Sequence, residues 1–403
     1  MTAGVVLDGD VFLSRVDDLL AQVRTGAQRR DAHRVYALDE IRALRELNFW
    51  AVTVPRAHGG LGLGPDVVVR AVLALASADG SLGQIPQNHF MTVERLRLTT
   101  VGDQREHWLA TVGAGAILGN ANAEPEERHP GDHGTRVRRA GSGWVLDGRK
   151  VYATGSLLAD HIAVAARDED GAPRTVLVGT ADAGVVVHDD WHGLGQRTTA
   201  SGTAEFSGVA VPALGMLPAT ADQVANYRVS ALGQLLHAAI DSGIAAGALT
   251  EAVELAGRAH GGRGSGARVF ADDHLGVAAL GELHISVLGA RRLVEAAADR
   301  LTAADEHSTP ADVVDIFYEV AAAKVVSTRA ALAVTSGLFD IGGTSSTRPA
   351  LGLDRYWRDA RTHTLHDSVR WKPYAVGRWL LDRAVADPWS IGHPFSDLDG
   401  SPK

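Results

Sequence analysis

The sequence has no cysteine, so this protein can form neither disulfide bonds nor a reactive thiolate. No apolar run approaches the roughly 18 residues that a membrane-spanning helix needs, and residues 1–12 lack the basic start of a secretory signal. Acidic residues outnumber basic ones and give a net charge of −9, which disfavours binding to nucleic acid. We therefore expect a cytoplasmic protein whose partners include neither membrane nor nucleic acid.

Common motifs of hydrolases, nucleotide-binding proteins and metalloproteins are also missing. The chain has no His-Glu-x-x-His, no Gly-x-Ser-x-Gly and no Gly-x-x-x-x-Gly-Lys-Ser/Thr. Two glycine-rich stretches, 59–64 and 113–119, miss the spacing of the dinucleotide fingerprint and are predicted to be turns. A di-iron centre needs Glu-x-x-His on two facing helices. The single match, Glu126 to His129, is followed by Pro-Gly, which is typical of a loop, so we expect no metal site.

The apolar pattern of the first two-thirds of the chain predicts a helical domain followed by a small β-domain. Residues 1–117 place apolar side chains three and four positions apart, as in Val67–Ala78, which indicates helices. Residues 118–222 contain short β-branched runs, such as His161–Ala166, which are typical of a small barrel or sandwich. Within this domain, Asp147-Gly148 is predicted to form a turn.

Residues 223–403 return to a helical pattern, and we predict a four-helix bundle there. Three long segments are rich in Ala and Leu, and Thr309-Pro310 provides an N-cap and a first turn for the third of them. A fourth helix is predicted over Ser368–Ala386, and the polar chain after Pro388 is predicted to be an irregular arm. The three long segments are Gln223–His260, Phe270–Ala304 and Ala311–Leu338.

Residues 355–372 combine arginines, tryptophans and two histidines, and they are the strongest candidate for a functional site. If the segment is helical, His363 and His366 share one face, because positions three apart are neighbours on a helix. Such converging groups suit proton transfer near neutral pH. Asp367 could orient an imidazole or only favour a helix start. Two histidines near a helix end could equally cap carbonyl groups or lie at the surface.

The order of the three domains, together with several motifs, resembles the acyl-CoA dehydrogenases. This resemblance implies a mainly α fold with an N-terminal helical domain, a central small β-domain and a C-terminal four-helix bundle. One departure concerns the family's catalytic glutamate, whose stretch here reads His366-Asp367-Ser368. The matching motifs are Pro-x-x-x-Gly-Gly-Leu-Gly-Leu at 55–63, Asp79-Gly80-Ser81, Asn122-Ala123-Glu124-Pro125, Val145–Lys150, Gly342-Gly343 and Arg358-Asp359-Ala360.

The run Thr-His-Thr-Leu-His-Asp at 362–367 instead resembles the reduced-flavin-dependent monooxygenase branch of this fold, which includes dibenzothiophene monooxygenases. The resemblance implies a two-component enzyme that receives reduced FMN or FAD from an NAD(P)H:flavin reductase. With O2 as co-substrate, such enzymes form a C4a-(hydro)peroxyflavin, which oxygenates a small molecule at sulfur, nitrogen or aromatic carbon. The resemblance also implies a homotetramer, or at least a dimer.

The resemblance also suggests site residues. Thr154 is expected to hold a proton at flavin N5, Ser201 and Arg258 are expected at the flavin phosphate, and the loop Gly343–Ser345 is expected to complete a neighbouring subunit's site. On the residues alone, His89 could cap a helix, Thr154 could be an ordinary strand residue and Arg258 a solvated helix end. The catalytic candidates are His366, His363, His89, Thr154 and Asp367. The flavin-binding candidates are Asn120, Ala123, Glu124, Tyr152, Thr154, Trp191, Ser201, Arg258, Gly343, Thr344 and Ser345.

Two other functions remain open on the sequence. An acyl-CoA dehydrogenase would hold FAD tightly, and the missing glutamate counts against it. A non-catalytic, nucleic-acid-associated member of the same fold would need a basic surface, which the net charge of −9 does not favour. The reduced-flavin monooxygenase is therefore the function that we predict.

Overall fold

The computed structural model describes residues 8–125, 134–219, 222–262, 264–304 and 307–396. The first part is helical, as predicted. Helix α3 is apolar and buried on nearly all sides, and it begins with Pro65, whose missing N–H costs nothing in a first turn. Asp79 ends α3 and caps α4 by accepting hydrogen bonds from two backbone N–H groups. The helices are α1 Gly9–His33, α2 Leu38–Glu46, α3 Pro65–Ala78, α4 Gly80–Gln84, α5 Pro86–Thr99 and α6 Gly102–Gly113.

The central part is a small sheet with its own apolar core. Its strands run β6-β7-β3-β2-β4-β5-β8, and β1 pairs with β4 in parallel. Asp147-Gly148 does not form the predicted turn, because both residues lie inside β3, where the pairing with β7 shifts register and makes a bulge. The strands are β1 Leu118–Ala121, β2 Arg136–Ala140, β3 Gly143–Lys150, β4 His161–Arg167, β5 Pro173–Gly179, β6 Val185–Val187, β7 Ala204–Val211 and β8 Met216–Leu217.

The C-terminal part contains three long helices and two short ones. Thr309 caps α9 with a reciprocal capping box, which confirms the predicted start of that helix. Small residues allow α7 to approach α3 closely, since a Cβ on Gly243 would lie 2.4 Å from the carbonyl oxygen of Leu73. The helices are α7 Gln223–Ala256, α8 His274–Ala303, α9 Pro310–Gly342, α10 Asp354–His363 and α11 Lys372–Asp382.

The predicted fourth helix is present but shorter than Ser368–Ala386, whereas the predicted irregular arm was wrong. Helix α10 ends at His363, and α11 starts only at Lys372 because Pro373 fits a first turn but not a helix interior. Instead of an arm, the chain forms a hairpin in which β9 Val385–Asp387 pairs with β10 Ser390–Ser396. None of the helices within the described ranges has both the length and the apolar character needed to cross a bilayer.

Candidate active site

A cavity of about 910 Å³ lies where the three parts of the chain meet. Its N-terminal wall comes from α4 and α5, its second wall from the loops of the sheet, and its third from α7, α9 and the segment between α10 and α11. The principal lining residues are Gln84, Gln87, Asn88, Met91, Asn120, Ala123, Tyr152, Thr154, Trp191, Ser201, Gln234, His237, Phe317, His363, His366, Asp367 and Trp371.

The wall from the β-domain is rich in hydroxyl and amide groups. The hydroxyl of Ser201 lies 2.8 Å from that of Thr154 and 2.7 Å from that of Thr199, and all three residues are buried. Asn120 is buried at the end of β1, and its side-chain oxygen has no hydrogen-bond partner. Tyr152 and Trp191 stand edge to face beside this wall. The wall therefore offers polar atoms and aromatic surface to a ligand.

The loop that carries Trp191 and Ser201 is held in place by α10. Asp359 accepts a hydrogen bond of 2.6 Å from the backbone N–H of Gln196, and burial raises the pKa of Asp359 to about 7. Gly195 packs so closely that a Cβ there would lie 2.0 Å from the carbonyl oxygen of Arg358. The Arg-Asp-Ala motif thus ties the β-domain wall to the helix that carries His363.

Three histidines and a buried ion pair form the wall opposite. Asp241 lies on α7, and its carboxylate accepts hydrogen bonds from Lys324 at 2.7 Å and from His363 Nδ1 at 2.5 Å. The Nε2 of His363 lies 3.0 Å from Nδ1 of His237, which also belongs to α7. The ring of His237 lies against that of His366, with 3.8 Å between their centroids and 33° between their planes.

The charges of this cluster fix the positions of its protons. Burial alone would raise the pKa of Asp241, but Lys324 and His363 lower it by more than burial raises it. Asp241 therefore stays ionised well below neutral pH. Burial lowers the pKa values of His237 and His363, so both rings are neutral near pH 7. His363 therefore donates its Nδ1 proton to Asp241 and accepts at Nε2 from His237. The remaining nitrogen of His237, Nε2, is left as an acceptor.

The structure brings His363 and His366 to one cavity, although they do not share a helix face as the spacing predicts. The helix ends at His363, and the backbone N–H of His366 donates to the carbonyl of His363 in a tight turn. The side chain of His366 is accessible from the cavity, and desolvation by the surrounding protein lowers its pKa to about 4, so this ring is also neutral near pH 7. This ring is the most accessible of the three histidines.

The carboxylate that orients an imidazole is Asp241 and not Asp367, which was the predicted candidate. Asp367 lines the cavity but pairs with Lys372 at 2.5 Å. Burial raises the pKa of Asp367, while Lys372 and Lys324 lower it below its usual value. The sequence offered a carboxylate adjacent to His366, whereas the folded chain uses one from a distant helix.

His89 does not reach the cavity, in contrast to its prediction as a catalytic candidate. Its Nε2 donates to the carbonyl of Trp50 at 2.6 Å, and its Nδ1 accepts from the backbone N–H of Leu118 at 3.1 Å. The side chain is fully buried beside Trp50 and Phe90, and burial lowers its pKa to about 4. His89 therefore joins the first helical part to the start of β1.

Other predicted flavin-binding residues also lie outside the cavity of the same chain. Glu124 pairs with Lys150 at 2.6 Å and accepts from backbone N–H groups, so it stabilises the β-domain, while its neighbour Ala123 lines the cavity. Arg258 is exposed, pairs with Glu254 and does not line the cavity, whereas Ser201 does. The loop Gly343–Ser345 is exposed at the end of α9.

Several residues of the cavity wall, and the ion pair behind it, were missed by the sequence analysis. Gln84, Gln87 and Asn88 gave no signal, because amides on a helix are common at surfaces. Asp241 and Lys324 could have been recognised, because each is a charged residue inside an Ala-rich apolar stretch. A helix that is buried on all sides must pair such charges. In the described parts of the chain no cluster suited to a metal ion occurs, and Glu126–His129 lies outside those parts.

The residues present fit a flavin. The buried side-chain oxygen of Asn120 lacks a partner among the described residues, and the hydroxyl groups of Thr154 and Ser201 line the same cavity. Flavins bind through hydrogen bonds to ring nitrogens and oxygens and through flat aromatic contacts. The amide, the hydroxyl pair and the aromatic pair Tyr152–Trp191 supply both kinds of contact.

Comparisons with known proteins agree with this geometry. Models of the N-terminal, middle and C-terminal domains of acyl-CoA dehydrogenase match residues 11–116, 124–209 and 235–371. Dibenzothiophene monooxygenase of Rhodococcus erythropolis is 32% identical, with 89% of this chain and 90% of the relative covered. A probable FMNH2-dependent monooxygenase of Pseudomonas putida, SfnC, is 29% identical, with 91% of this chain and 93% of the relative covered.

A solved structure gives the same result for the fold. FMN-bound TdsC from Paenibacillus sp. A11-2 superposes with a TM-score of 0.88 at 29% identity, covering 95% of this chain and all of the other. The predicted family, the mainly α fold with a central β-domain and the predicted enzyme class are thereby confirmed. The chain belongs to the acyl-CoA dehydrogenase family and, within it, to the reduced-flavin-dependent monooxygenases.

Proposed function

We propose that this enzyme takes reduced FMN from a separate NAD(P)H:flavin reductase and oxygenates a small organic molecule in the central cavity. The observation that carries the proposal is the placement of a hydroxyl and amide wall opposite a cluster of neutral histidines in one cavity. FMN is favoured over FAD because TdsC is described with FMN and SfnC as FMNH2-dependent. The cytoplasm, where NAD(P)H is abundant, is the proposed location.

The reduced flavin, when bound, supplies the electrons that activate O2. The protein's own contribution begins with the β-domain wall. The hydroxyl of Thr154, which lies 2.8 Å from that of Ser201, would hold a proton at flavin N5. Asn120 would offer its side-chain oxygen to a ring N–H. These fixed groups need no rearrangement during the reaction, and fixed polar groups stabilise charge better than mobile solvent does.

The histidine wall manages protons on the opposite side. His366 is the accessible ring, and His237 lies against it while its own proton points towards His363. Asp241 anchors the far end of this chain of hydrogen bonds. A neutral imidazole can both accept and donate a proton, which suits a reaction in which an oxygen atom must be transferred and a water molecule released.

Apolar side chains exclude water from the reacting groups. Met91, Phe317 and Ala321 line the cavity between the two polar walls, and Trp371 closes one side. Excluding water limits the loss of activated oxygen as hydrogen peroxide. The atom that receives oxygen is sulfur, nitrogen or aromatic carbon under this proposal.

We further propose that the subunits assemble as a homotetramer and that Gly343, Thr344 and Ser345 complete the flavin site of a neighbour. This loop is exposed and does not line the cavity of its own chain. Helix α8 also presents exposed apolar side chains, including Leu275 and Ile285, which an isolated subunit would leave in contact with water. Sedimentation velocity at micromolar concentration tests the assembly, and a monomer that retains full FMN affinity would contradict it.

Isotope labelling tests the function. The protein is mixed with FMN, NADH, a flavin reductase and a panel of thioethers, amines, phenols and indoles under ¹⁸O2. We expect one labelled oxygen atom in a product, and only when the reductase is present. Steady oxidation of NADH without the reductase, or oxidation of an acyl-CoA without O2, would contradict the proposal. Thr154→Val provides the matched variant, with more consumed O2 released as peroxide.

A further inference from the structure

The helical wall of the cavity presents acceptors that no other residue of the described chain satisfies. Gln87 is 2% exposed, and its Nε2 donates to the carbonyl of Gly233 at 3.2 Å. Because that bond fixes which end of the amide is the nitrogen, Oε1 is the free end, and it has no hydrogen-bond partner. The side-chain oxygens of Gln84 and Gln234 are also buried without partners, and all three residues line the cavity.

His237 adds a further acceptor to the same wall. Its Nδ1 proton is directed to Nε2 of His363, because His363 uses its own proton on Asp241. The second nitrogen of the His237 ring therefore carries a lone pair, and the ring lines the cavity. The tautomer is set by three groups in series and does not depend on what occupies the cavity.

The cations near this wall are already neutralised. Lys324 pairs with Asp241 and Lys372 with Asp367, and both lysines are almost wholly buried. No arginine of the described residues lines the cavity. The wall is therefore poor in free positive charge and rich in acceptors, which disfavours an anionic substrate such as a sulfinate and favours a donor.

We propose that the substrate of this enzyme carries an N–H or O–H group on an apolar body, and that Gln87 and His237 accept this donor. The inference rests on the proposed function and names the class of its substrate. A fused-ring thioether such as dibenzothiophene has no hydrogen-bond donor and would leave these acceptors unpaired. A buried acceptor that loses its partner weakens binding, so the donor is a condition for tight binding and not an accessory.

The apolar walls fit the rest of such a molecule. Phe317 and Trp371 provide aromatic surface, and Met91 and Ala321 fill the space between them. A flat heteroaromatic ring with one N–H would place its faces against these side chains and its edge against the acceptors. Indole is the simplest probe with this chemistry.

The test compares three bicyclic probes that have nearly the same shape. Indole has an N–H donor, whereas 1-methylindole and benzothiophene have none. Their affinities are measured by isothermal titration calorimetry on the full-length protein, with and without oxidised FMN. We expect indole to bind about tenfold more tightly or better, the range for one buried acceptor left unpaired. Equal or tighter binding of the donor-free probes would overturn the proposal.

Variants show whether the named groups cause the preference. Gln87→Met should remove most of the preference for indole and leave FMN affinity unchanged, and Gln234→Met serves as a second variant if the first does not fold. Gln28→Met is the matched control, because Gln28 also donates to a backbone carbonyl but does not line the cavity. A loss of FMN affinity in Gln87→Met would show that this amide serves the flavin, and it would overturn the proposal.

The experiment separates failure of the inference from failure of the proposed function. If the enzyme oxygenates benzothiophene with reduced FMN more efficiently than indole, the substrate class is wrong and the monooxygenase function stands. If indole binds selectively through Gln87 but no probe acquires oxygen from O2, the binding inference stands and the proposed function falls.

Discussion

The buried ion pair behind the histidine wall gives the strongest test of how this site is held together. Asp241 and Lys324 are both 0% exposed, and their charged atoms lie 2.7 Å apart. Lys324→Met leaves the carboxylate with its hydrogen bonds from Thr328 and His363 but without its cation. Removing one partner of a buried pair costs about 3–5 kcal/mol, because the remaining charge has no water to solvate it.

A double-mutant cycle measures this coupling. The free energy of unfolding is obtained from urea denaturation at neutral pH for Lys324→Met, Asp241→Asn and the double variant. We expect each single variant to lose about 3–5 kcal/mol and the double variant to lose clearly less than their sum, since two neutral groups replace the pair. The control is Glu254→Gln, which breaks an exposed pair with Arg258 on the same helix and should cost about 0.5 kcal/mol or less.

Two outcomes would refute the reasoning. A loss below about 1 kcal/mol for Lys324→Met would show that the lysine is solvated and not a buried partner. A double variant that loses the full sum of the single losses would show that the two residues act independently. In either case Asp241 would no longer fix the tautomers of His363 and His237, and His237 Nε2 would no longer be required to be an acceptor.

Four further predictions concern pH, oxygen use and the clamp on the β-domain loop. Burial lowers the pKa of His89 to about 4 in the folded chain, whereas the unfolded chain binds this proton below about pH 6.5. The free energy of unfolding should therefore fall by about 2 kcal/mol from pH 7 to pH 5. His89→Gln should reduce this pH dependence, as measured by urea denaturation at each pH. His366→Ala should lower product formation about 100-fold while O2 consumption continues as peroxide, and an unchanged product yield would make the ring structural. Thr154→Val should keep the fold by circular dichroism yet raise the share of peroxide, whereas an unchanged share would exclude the hydroxyl from the reaction. Gly195→Ala should weaken FMN binding and slow turnover about 100-fold, since its Cβ would meet the Arg358 carbonyl and displace the loop by an amount near 1 Å, and full activity would show that the loop can yield.

The three-part fold could be predicted because each part has its own periodicity. Apolar side chains at helical spacing identified α3 and the long bundle helices, and β-branched runs identified β4 and β5 with small errors at their ends. The fourth bundle helix was predicted in the right place but too long, over Ser368–Ala386 instead of Lys372–Asp382. The first-turn preference of Pro373 sets its start, and the left-handed backbone of Arg383 ends it.

The site could be predicted only where it lies in one stretch of chain. His363 and His366 are close in sequence, and Thr154 and Ser201 were found through family resemblance. The hydrogen-bond partners of His363 are His237, 126 residues away, and Asp241, 122 residues away, and both lie on α7, so no local spacing connects them. Asp367 shows the resulting error, because proximity in sequence suggested a partner that packing supplies from Asp241.

No single region of the chain contains the cavity. Gln84, Gln87 and Asn88 come from α4 and α5, the wall of hydroxyl and amide groups comes from the β-domain, and the histidines come from α7, the end of α10 and the turn after it. Binding of FMN therefore requires that all three regions are folded and packed together, and it does not report the folding of one region alone. In a preparation of any variant, the fraction of chains that bind FMN counts those in which all three regions have docked, which makes cofactor titration a quality control for every experiment proposed above.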